Sequence, residues 1–191
     1  MKEVNEIFTK SRTCNHYSDK PVDDELLIQI YDILKFGPTS ANCCPLRIYF
    51  AKSEENKKKI ISALMDGNKA KSELAPVIAI LAYDESFYLH FPKVFPHVPN
   101  FGKMYENDPI LSYETALRNS SIQGGYFIMV ARSLGLDVGP MSGFDSNKIN
   151  KDFFEGTSFK VNFVCNLGYK SQDPEYERLP RFDFNEVCQI L

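Results

Sequence analysis

Two short segments carry the residue types best suited to holding a ligand. The first is Gly37-Pro38-Thr39-Ser40-Ala41-Asn42-Cys43-Cys44-Pro45. The second, about a hundred residues on, is Gly139-Pro140-Met141-Ser142-Gly143-Phe144-Asp145. Gly, Pro, Ser and Asn build tight loops whose backbone N–H and C=O groups stay exposed. Such loops carry binding sites more often than packing. Together they suggest two walls of one small-molecule site.

The elements that must position these loops follow from hydrophobic periodicity. Glu3 to Lys10 reads as a short helix, and residues 11–20 as polar and irregular. Pro21-Val22-Asp23-Asp24 opens the clearest helix, with Asp23 or Asp24 as its cap. Leu26, Leu27, Ile30, Ile33 and Leu34 make its apolar stripe, and Gly37-Pro38 stops it. Arg47 to Ala51 alternates like a strand. Ser53 to Met65 reads as an amphipathic helix with Lys57, Lys58 and Lys59 on its wet side. Pro76 to Tyr83 is a nearly continuous apolar run, as in a buried strand. Residues 84–109 hold four prolines and six aromatics, and this long stretch reads as a lid or binding loop unless it carries short helices. A long helix is expected from Leu111 to Leu134. The paired Gly124-Gly125 inside it costs about 1 kcal/mol each, which points to close approach of another helix or a ligand. Asp145 caps a helix to about Phe154, and Val161 to Tyr169 is the last strong strand. Residues 170–191 read as a C-terminal arm.

Composition bounds the possibilities. A chain of 191 residues is expected to be one domain spanning 1–191, able to bury roughly 70% of its unfolded surface without disulfide or metal. The net charge of -3 gives no electrostatic reason to expect nucleic acid. The apolar runs are too short to span a membrane, and the first residues lack the apolar core of a secretory signal. A cytoplasmic location is the expectation. The five cysteines read as free thiols, several of them buried, with a redox pair or metal site as the rival reading. Histidines stand only at 16, 90 and 97, so no His-based metal site is expected. Neither GxGxxG nor GxxxxGK[ST] nor HExxH is present, so a nucleotide-like cofactor would bind by another route.

Five blocks, in order along nearly the whole chain, resemble the flavin-dependent nitroreductase family. They are Arg12-Thr13; Gly37 to Cys43; Glu114-Thr115-Ala116 with Arg118-Asn119-Ser120-Ser121; Gly139 to Asp145 after Leu134-Gly135-Leu136-Asp137; and Arg178-Leu179-Pro180-Arg181. Within the family they are most similar to the malonic semialdehyde reductase (3-hydroxypropanoate dehydrogenase) branch of pyrimidine degradation. The resemblance implies an α+β nitroreductase-like fold with a mostly antiparallel central sheet flanked by helices. It also implies a homodimer with FMN at the subunit interface, and NADPH or NADH as reductant. The implied reaction is hydride transfer through the flavin to malonic semialdehyde, giving 3-hydroxypropanoate.

The residues suit FMN chemically. Its phosphate calls for guanidinium and hydroxyl donors, and Arg12, Thr13 and Arg181 are candidates, with Arg178 less certain between site and surface. The flavin pyrimidine edge calls for a group that both donates and accepts, as the Asn42 carboxamide does. Asn42 could equally stabilise a turn through its own backbone. Pro38, Thr39 and Ser40 complete that wall. Backbone N–H groups of Ser142 and Gly143 suit the N5 and O4 edge, with Pro140 and Met141 against the ring face; the rival is a plain helix-entry loop. Asn15 stands where the family usually has Arg or Lys. Cys43-Cys44-Pro45-Leu46 departs from the more polar sequence common among relatives. The protein side chains need supply little to hydride transfer itself. Arg118 is a candidate for the substrate carboxylate or a structural residue, and the proton donor stays unassigned. Two other readings are open: a general NAD(P)H-dependent nitro- or quinone reductase, and a flavin-binding or partner-binding protein with little turnover.

Overall fold

The computed structural model describes residues 3–172 and 177–191. Residues 173–176 of the expected arm lie outside it. The first helix, α1 (Val4–Thr9), is short. Asp23 stands at the N-cap of α2 (Asp24–Leu34), whose Leu27, Ile30 and Leu34 are buried. Ile33, expected in that stripe, is exposed instead, as are Ile28, Tyr31 and Phe36. The helix therefore carries a second apolar flank that stays in solvent within one chain.

Strand β1 (Leu46–Ala51) leads to α3 (Glu54–Ala63), whose N-terminus is capped where the Asn56 N–H donates to Ser53 Oγ at 3.3 Å. Lys57 is buried rather than on the wet side. Its stem packs inward while Nζ reaches Glu54 at 2.9 Å. Helix α4 (Asp66–Glu73) follows, then β2 (Val77–Asp84), buried at every position as its apolar run predicts. The 84–109 segment is broken into short helical pieces: α5 (Phe91–Val94), α6 (Lys103–Glu106) and two 3₁₀ turns. Pro92 and Pro99 sit at the starts of such pieces, where the missing N–H costs nothing. Phe91 is fully buried there, with the rings of Phe87, Phe95, Phe101 and Tyr105 all within 6.0 Å of it, centroid to centroid.

Helix α7 (Pro109–Ser133) is the longest element, entered through Asp108, whose carboxylate accepts from Leu111 N–H at 3.0 Å. Strand β3 (Asp137–Met141), α8 (Ser146–Phe154), β4 (Phe159–Gly168) and α9 (Phe184–Val187) complete the order. Asp145 caps α8 as expected, accepting from Lys148 N–H at 3.1 Å. The first half of the second loop is thus an edge strand rather than a free loop. Residues 177–191 are exposed throughout.

Among the described residues the sheet has four strands in the order β1-β2-β4-β3, every neighbouring pair antiparallel. Alternation along β2 splits the core. Val77, Ala79 and Leu81 face α2 and α7 through Ile30, Leu34, Phe127 and Ala131. Ile78, Ile80 and Ala82 face α3 and α8 through Ile60, Ala63, Ile149 and Phe154. Gly124 explains one paired glycine: a Cβ there would lie 2.5 Å from the Phe163 ring, so the close neighbour is a β4 side chain rather than a helix or ligand. Gly125 has open space around it. Among the described residues no helix is long and apolar enough to cross a membrane.

Candidate functional site

The loop 37–45 leaves the end of α2 and enters β1, an edge strand. Three of its non-glycine residues are left-handed: Ala41 (φ 48°), Asn42 (φ 51°) and Cys44 (φ 41°). Asn tolerates that region, whereas it costs other L-residues about 1–2 kcal/mol each. The conformation is held by side chains. Cys44 N–H donates to Thr39 Oγ1 at 3.2 Å, and Asn42 Nδ2 donates to the Val94 carbonyl at 2.7 Å. Cys44 Sγ lies 3.3 Å from Asn42 Oδ1. Asn42 thus steadies the loop through side-chain bonds to Val94 and Cys44 rather than through its own backbone. Its exposed carboxamide keeps one N–H and one oxygen lone pair for a ligand.

Helix α7 holds the same loop from beneath. Asn119 Oδ1 accepts from Ser40 N–H at 2.8 Å, Gln123 Oε1 accepts from Leu46 N–H at 3.0 Å, and Tyr126 donates to the Pro38 carbonyl at 3.1 Å. These three residues went unassigned in the sequence reading. Their signal is that a long helix with a packed face keeps Asn and Gln one turn apart on it, where polar atoms need partners. Between loop and helix lies a cavity of about 420 Å³ lined by Pro38, Thr39, Ser40, Arg118, Asn119 and Tyr126, among others. Arg118 faces it from an exposed position, its guanidinium 3.7 Å from the Glu114 carboxylate one turn away.

The second group of residues gathers on the opposite edge, along β3. The loop carrying Arg12, Thr13 and Asn15 runs beside that strand, with Cys14 N–H donating to the Val138 carbonyl at 3.0 Å. The approach requires Gly139, because a Cβ there would sit 2.8 Å from Tyr17 Oη and 2.9 Å from the Cys14 carbonyl oxygen. Burial raises the Cys14 thiol and the Tyr17 phenol above their ordinary pKa values, so both stay protonated. Arg178 reaches back from the arm to the carbonyls of Thr9 at 2.8 Å and Ser11 at 3.1 Å. Arg181 instead bonds carbonyls of its own arm, Leu179 at 3.0 Å and Pro180 at 2.9 Å. Arg178, the more doubtful of the two in sequence, is the one tied to the Arg12 loop.

Beyond β3, the Gly143 carbonyl is fixed by Met65 N–H at 3.0 Å and Asn68 Nδ2 at 3.1 Å. Among the described residues, no backbone hydrogen bond engages the N–H groups of Ser142 and Gly143. Ser142 is exposed, and a Cβ on Gly143 would meet Asn68 at 2.9 Å. Met141, expected against the ring face, turns its side chain inward. It is buried in the core with Ile149 and Phe154, its sulfur 3.7 Å from Ser72 Oγ. Pro140 remains half-buried at the edge.

The site residues thus fall into two halves, Pro38 to Asn42 by β1 and Arg12 to Asn15 with Ser142-Gly143 by β3. In the order β1-β2-β4-β3 those strands are the two edges, three inter-strand steps or about 14 Å apart. All five cysteines are free: Cys14, Cys43 and Cys165 are buried, Cys44 half-buried and Cys188 exposed. Among the described residues no group of three potential metal ligands occurs.

An antiparallel α+β sandwich of this topology is the nitroreductase-like fold. A provisionally described nitroreductase of Bacillus subtilis superimposes with a TM-score of 0.90 over 98% of both chains at 17% identity. A provisionally described nitroreductase of Exiguobacterium sibiricum, solved in complex with FMN, does so with a TM-score of 0.89 over 100% of this chain and 98% of its own, at 20% identity. The nitroreductase family model matches residues 9–169. A Ralstonia nicotianae protein provisionally named NADH dehydrogenase/NAD(P)H nitroreductase is 46% identical over 188 residues, 98% of this chain and 96% of its own. One of the same provisional name from Burkholderia lata is 47% identical over 187 residues, 98% of this chain and 95% of its own. The chain belongs to the nitroreductase family.

Proposed function

We propose that the protein is an FMN-dependent NAD(P)H oxidoreductase that works as a homodimer. The observation that carries this reading is the division of the candidate ligand-binding residues between the two edges of one sheet. A second copy would bring the β1-edge half of one chain to the β3-edge half of the other. The exposed apolar flank of α2 and the exposed Leu179, Phe182, Phe184 and Val187 of the arm are surfaces such a dimer would cover. The Exiguobacterium neighbour holds FMN, and the curated relatives bear NAD(P)H nitroreductase names.

The donor set fits FMN. Arg12 and Thr13, with Arg178 against the same loop, suit a phosphate. The exposed Asn42 carboxamide suits the pyrimidine edge, flanked by Pro38, Thr39 and Ser40. The Ser142 and Gly143 N–H groups beside Pro140 suit the N5 and O4 edge, since Asn68 and Met65 N–H hold the carbonyl side of Gly143 back. Arg181 is proposed as a second phosphate contact, which requires it to leave its own arm carbonyls. Asn15 would stand near the N1 side without supplying charge. When bound, FMN supplies hydride transfer between a nicotinamide and the second substrate.

For that second substrate we propose malonic semialdehyde, reduced to 3-hydroxypropanoate. The sequence resemblance at residues 114–121 and a small cavity with Arg118 at its wall support it. Arg118 would pair the substrate carboxylate in exchange for its loose contact with Glu114. The names of the curated relatives favour a second reading, a general nitroreductase or quinone reductase. The 84–109 segment, joined to Asn42 through Val94, is proposed as the lid over this half of the site. Steady-state rates with malonic semialdehyde, a nitroaromatic and a quinone, each with NADH and NADPH, decide the substrate. Malonic semialdehyde turned over no faster than the nitroaromatic would leave the general reductase as the function. Sedimentation at a monomer mass with FMN present would remove the dimer.

A further inference from the structure

We propose that Asn119 is a positioning residue that sets the shape in which the 37–45 loop meets its ligand. The inference rests on the FMN reading above. Asn119 is buried, 3% exposed, in the middle of α7, yet both ends of its carboxamide are used. Nδ2 donates to the Thr115 carbonyl one turn back at 2.9 Å, which fixes the amide plane. Oδ1 then accepts from Ser40 N–H at 2.8 Å. Ser40 is the residue immediately before the left-handed Ala41 and Asn42. The Asn119 bond therefore anchors the chain just where it enters its least favoured backbone conformation.

The anchor belongs to a template. Asn119, Gln123 and Tyr126 recur at helical spacing, so one face of α7 grips Ser40, Leu46 and Pro38 in turn. Gly37 is part of the fit, since a Cβ there would fall 2.2 Å from the Tyr126 ring. Asn119 and Tyr126 also line the cavity, Asn119 beside Arg118. Asn119 joins the loop to the substrate space without presenting a reactive group. Without the bond, Ser40 N–H loses its partner and the left-handed pair loses its brace, so Thr39, Ser40 and Asn42 spread over several conformations. Binding must then reorder them.

The test compares Asn119→Ala and Asn119→Asp, each with and without Ala41→Gly, by fluorimetric FMN titration alongside melting curves of the FMN-free proteins. Asn119→Ala should weaken FMN about tenfold, the worth of one anchoring hydrogen bond. Adding Ala41→Gly should recover most of that affinity, because glycine adopts the left-handed turn without a brace. Asn119→Asp keeps an oxygen for Ser40 but replaces the Nδ2 donor with a buried carboxylate oxygen facing the Thr115 carbonyl, so it should also weaken FMN, and adding Ala41→Gly should again recover most of the affinity. A residue that merely fills the core would change the melting temperature without rescue of affinity by Ala41→Gly. Unchanged FMN affinity in a folded Asn119→Ala, or a double variant no tighter than the single, overturns the proposal. If Asn119→Ala does not fold, Asn119→Asp takes its place, and unchanged FMN affinity in the folded Asp variant, or no recovery on adding Ala41→Gly, overturns it. A wild-type protein that binds no FMN overturns the cofactor reading as well, whereas wild-type binding with unaffected variants overturns this inference alone.

Discussion

Gly139→Ala is the sharpest probe of how the β3-edge half of the site is built. Gly139 lets the Arg12 loop lie directly on an edge strand. The added methyl would be 2.8 Å from Tyr17 Oη, 2.9 Å from the Cys14 carbonyl oxygen and 3.5 Å from Asn166 Cβ. Comfortable packing begins at about 3.5 Å, so two of the three neighbours must retreat by roughly 0.6–0.7 Å. One of them is backbone and cannot rotate away. Tyr17 is buried and bonded to the Cys14 and Asn166 carbonyls at 3.3 and 3.4 Å, so it cannot swing out freely either. Overpacking of this kind costs about 1–3 kcal/mol. For a chain of this size that lowers the melting temperature by about 2–12 °C. Displacement of Cys14 carries Arg12 and Thr13 with it, so FMN affinity should fall as well, by up to about tenfold if one phosphate contact is weakened. Melting followed by circular dichroism and FMN titration of the folded variant measure the two effects. An unchanged melting temperature would refute the packing argument. A lowered melting temperature with unchanged FMN affinity would refute the placement of the phosphate site on this loop.

Further outcomes follow from individual groups. Arg12→Ala should lose a charge-assisted hydrogen bond of about 1.5–3 kcal/mol, or roughly 10–100-fold in FMN affinity; fluorimetric titration with no loss would remove its phosphate role. Asn15→Lys should raise the flavin midpoint potential by placing positive charge where the reduced flavin is anionic, and a redox titration with no rise would end that idea. Stability should decline in alkali. Burial pushes the Cys43 thiol from 9.0 up to about 11, Cys165 up to about 12 and Tyr83 from 10.0 up to about 12. The folded state thus prefers their protonated forms, so their contribution is intact below about pH 9 and is lost as pH rises through about 11–12. Urea midpoints compared at about pH 8 and about pH 10.5 should fall, and equal midpoints would contradict the burial of these groups.

What the sequence made legible depended on strong local patterns. The apolar run of Val77 to Tyr83 is the fully buried β2, the Leu27-Ile30-Leu34 face is the packed side of α2, and Asp145 caps α8 as expected. Helix α4 was missed because Asp66 to Glu73 has almost no apolar stripe, burying only Ser72. Strand β3 was missed because Gly139-Pro140 reads as a turn, whereas an edge strand tolerates a proline whose nitrogen need not donate. Residue chemistry reads residues 37–45 as a loop, as they are, but residues 139–141 belong to β3, and the placement of the two segments on opposite sheet edges follows from pairing between distant strands. The buried Met141 shows the same limit: strand alternation, invisible while β3 was unrecognised, turns it into the core. Asn119 and Gln123 carried a readable signal, polar residues on the packed face of a long helix, whose partners only the folded chain supplies.

The central claim is that the two half-sites together hold a flavin that accepts electrons from a nicotinamide. Anaerobic mixing of the FMN-loaded protein with NADPH, and separately with NADH, tests it most directly. Rapid bleaching of the bound flavin by at least one of them is the predicted result. A flavin that stays oxidised with both would contradict the oxidoreductase reading, leaving a flavin-binding protein with little turnover.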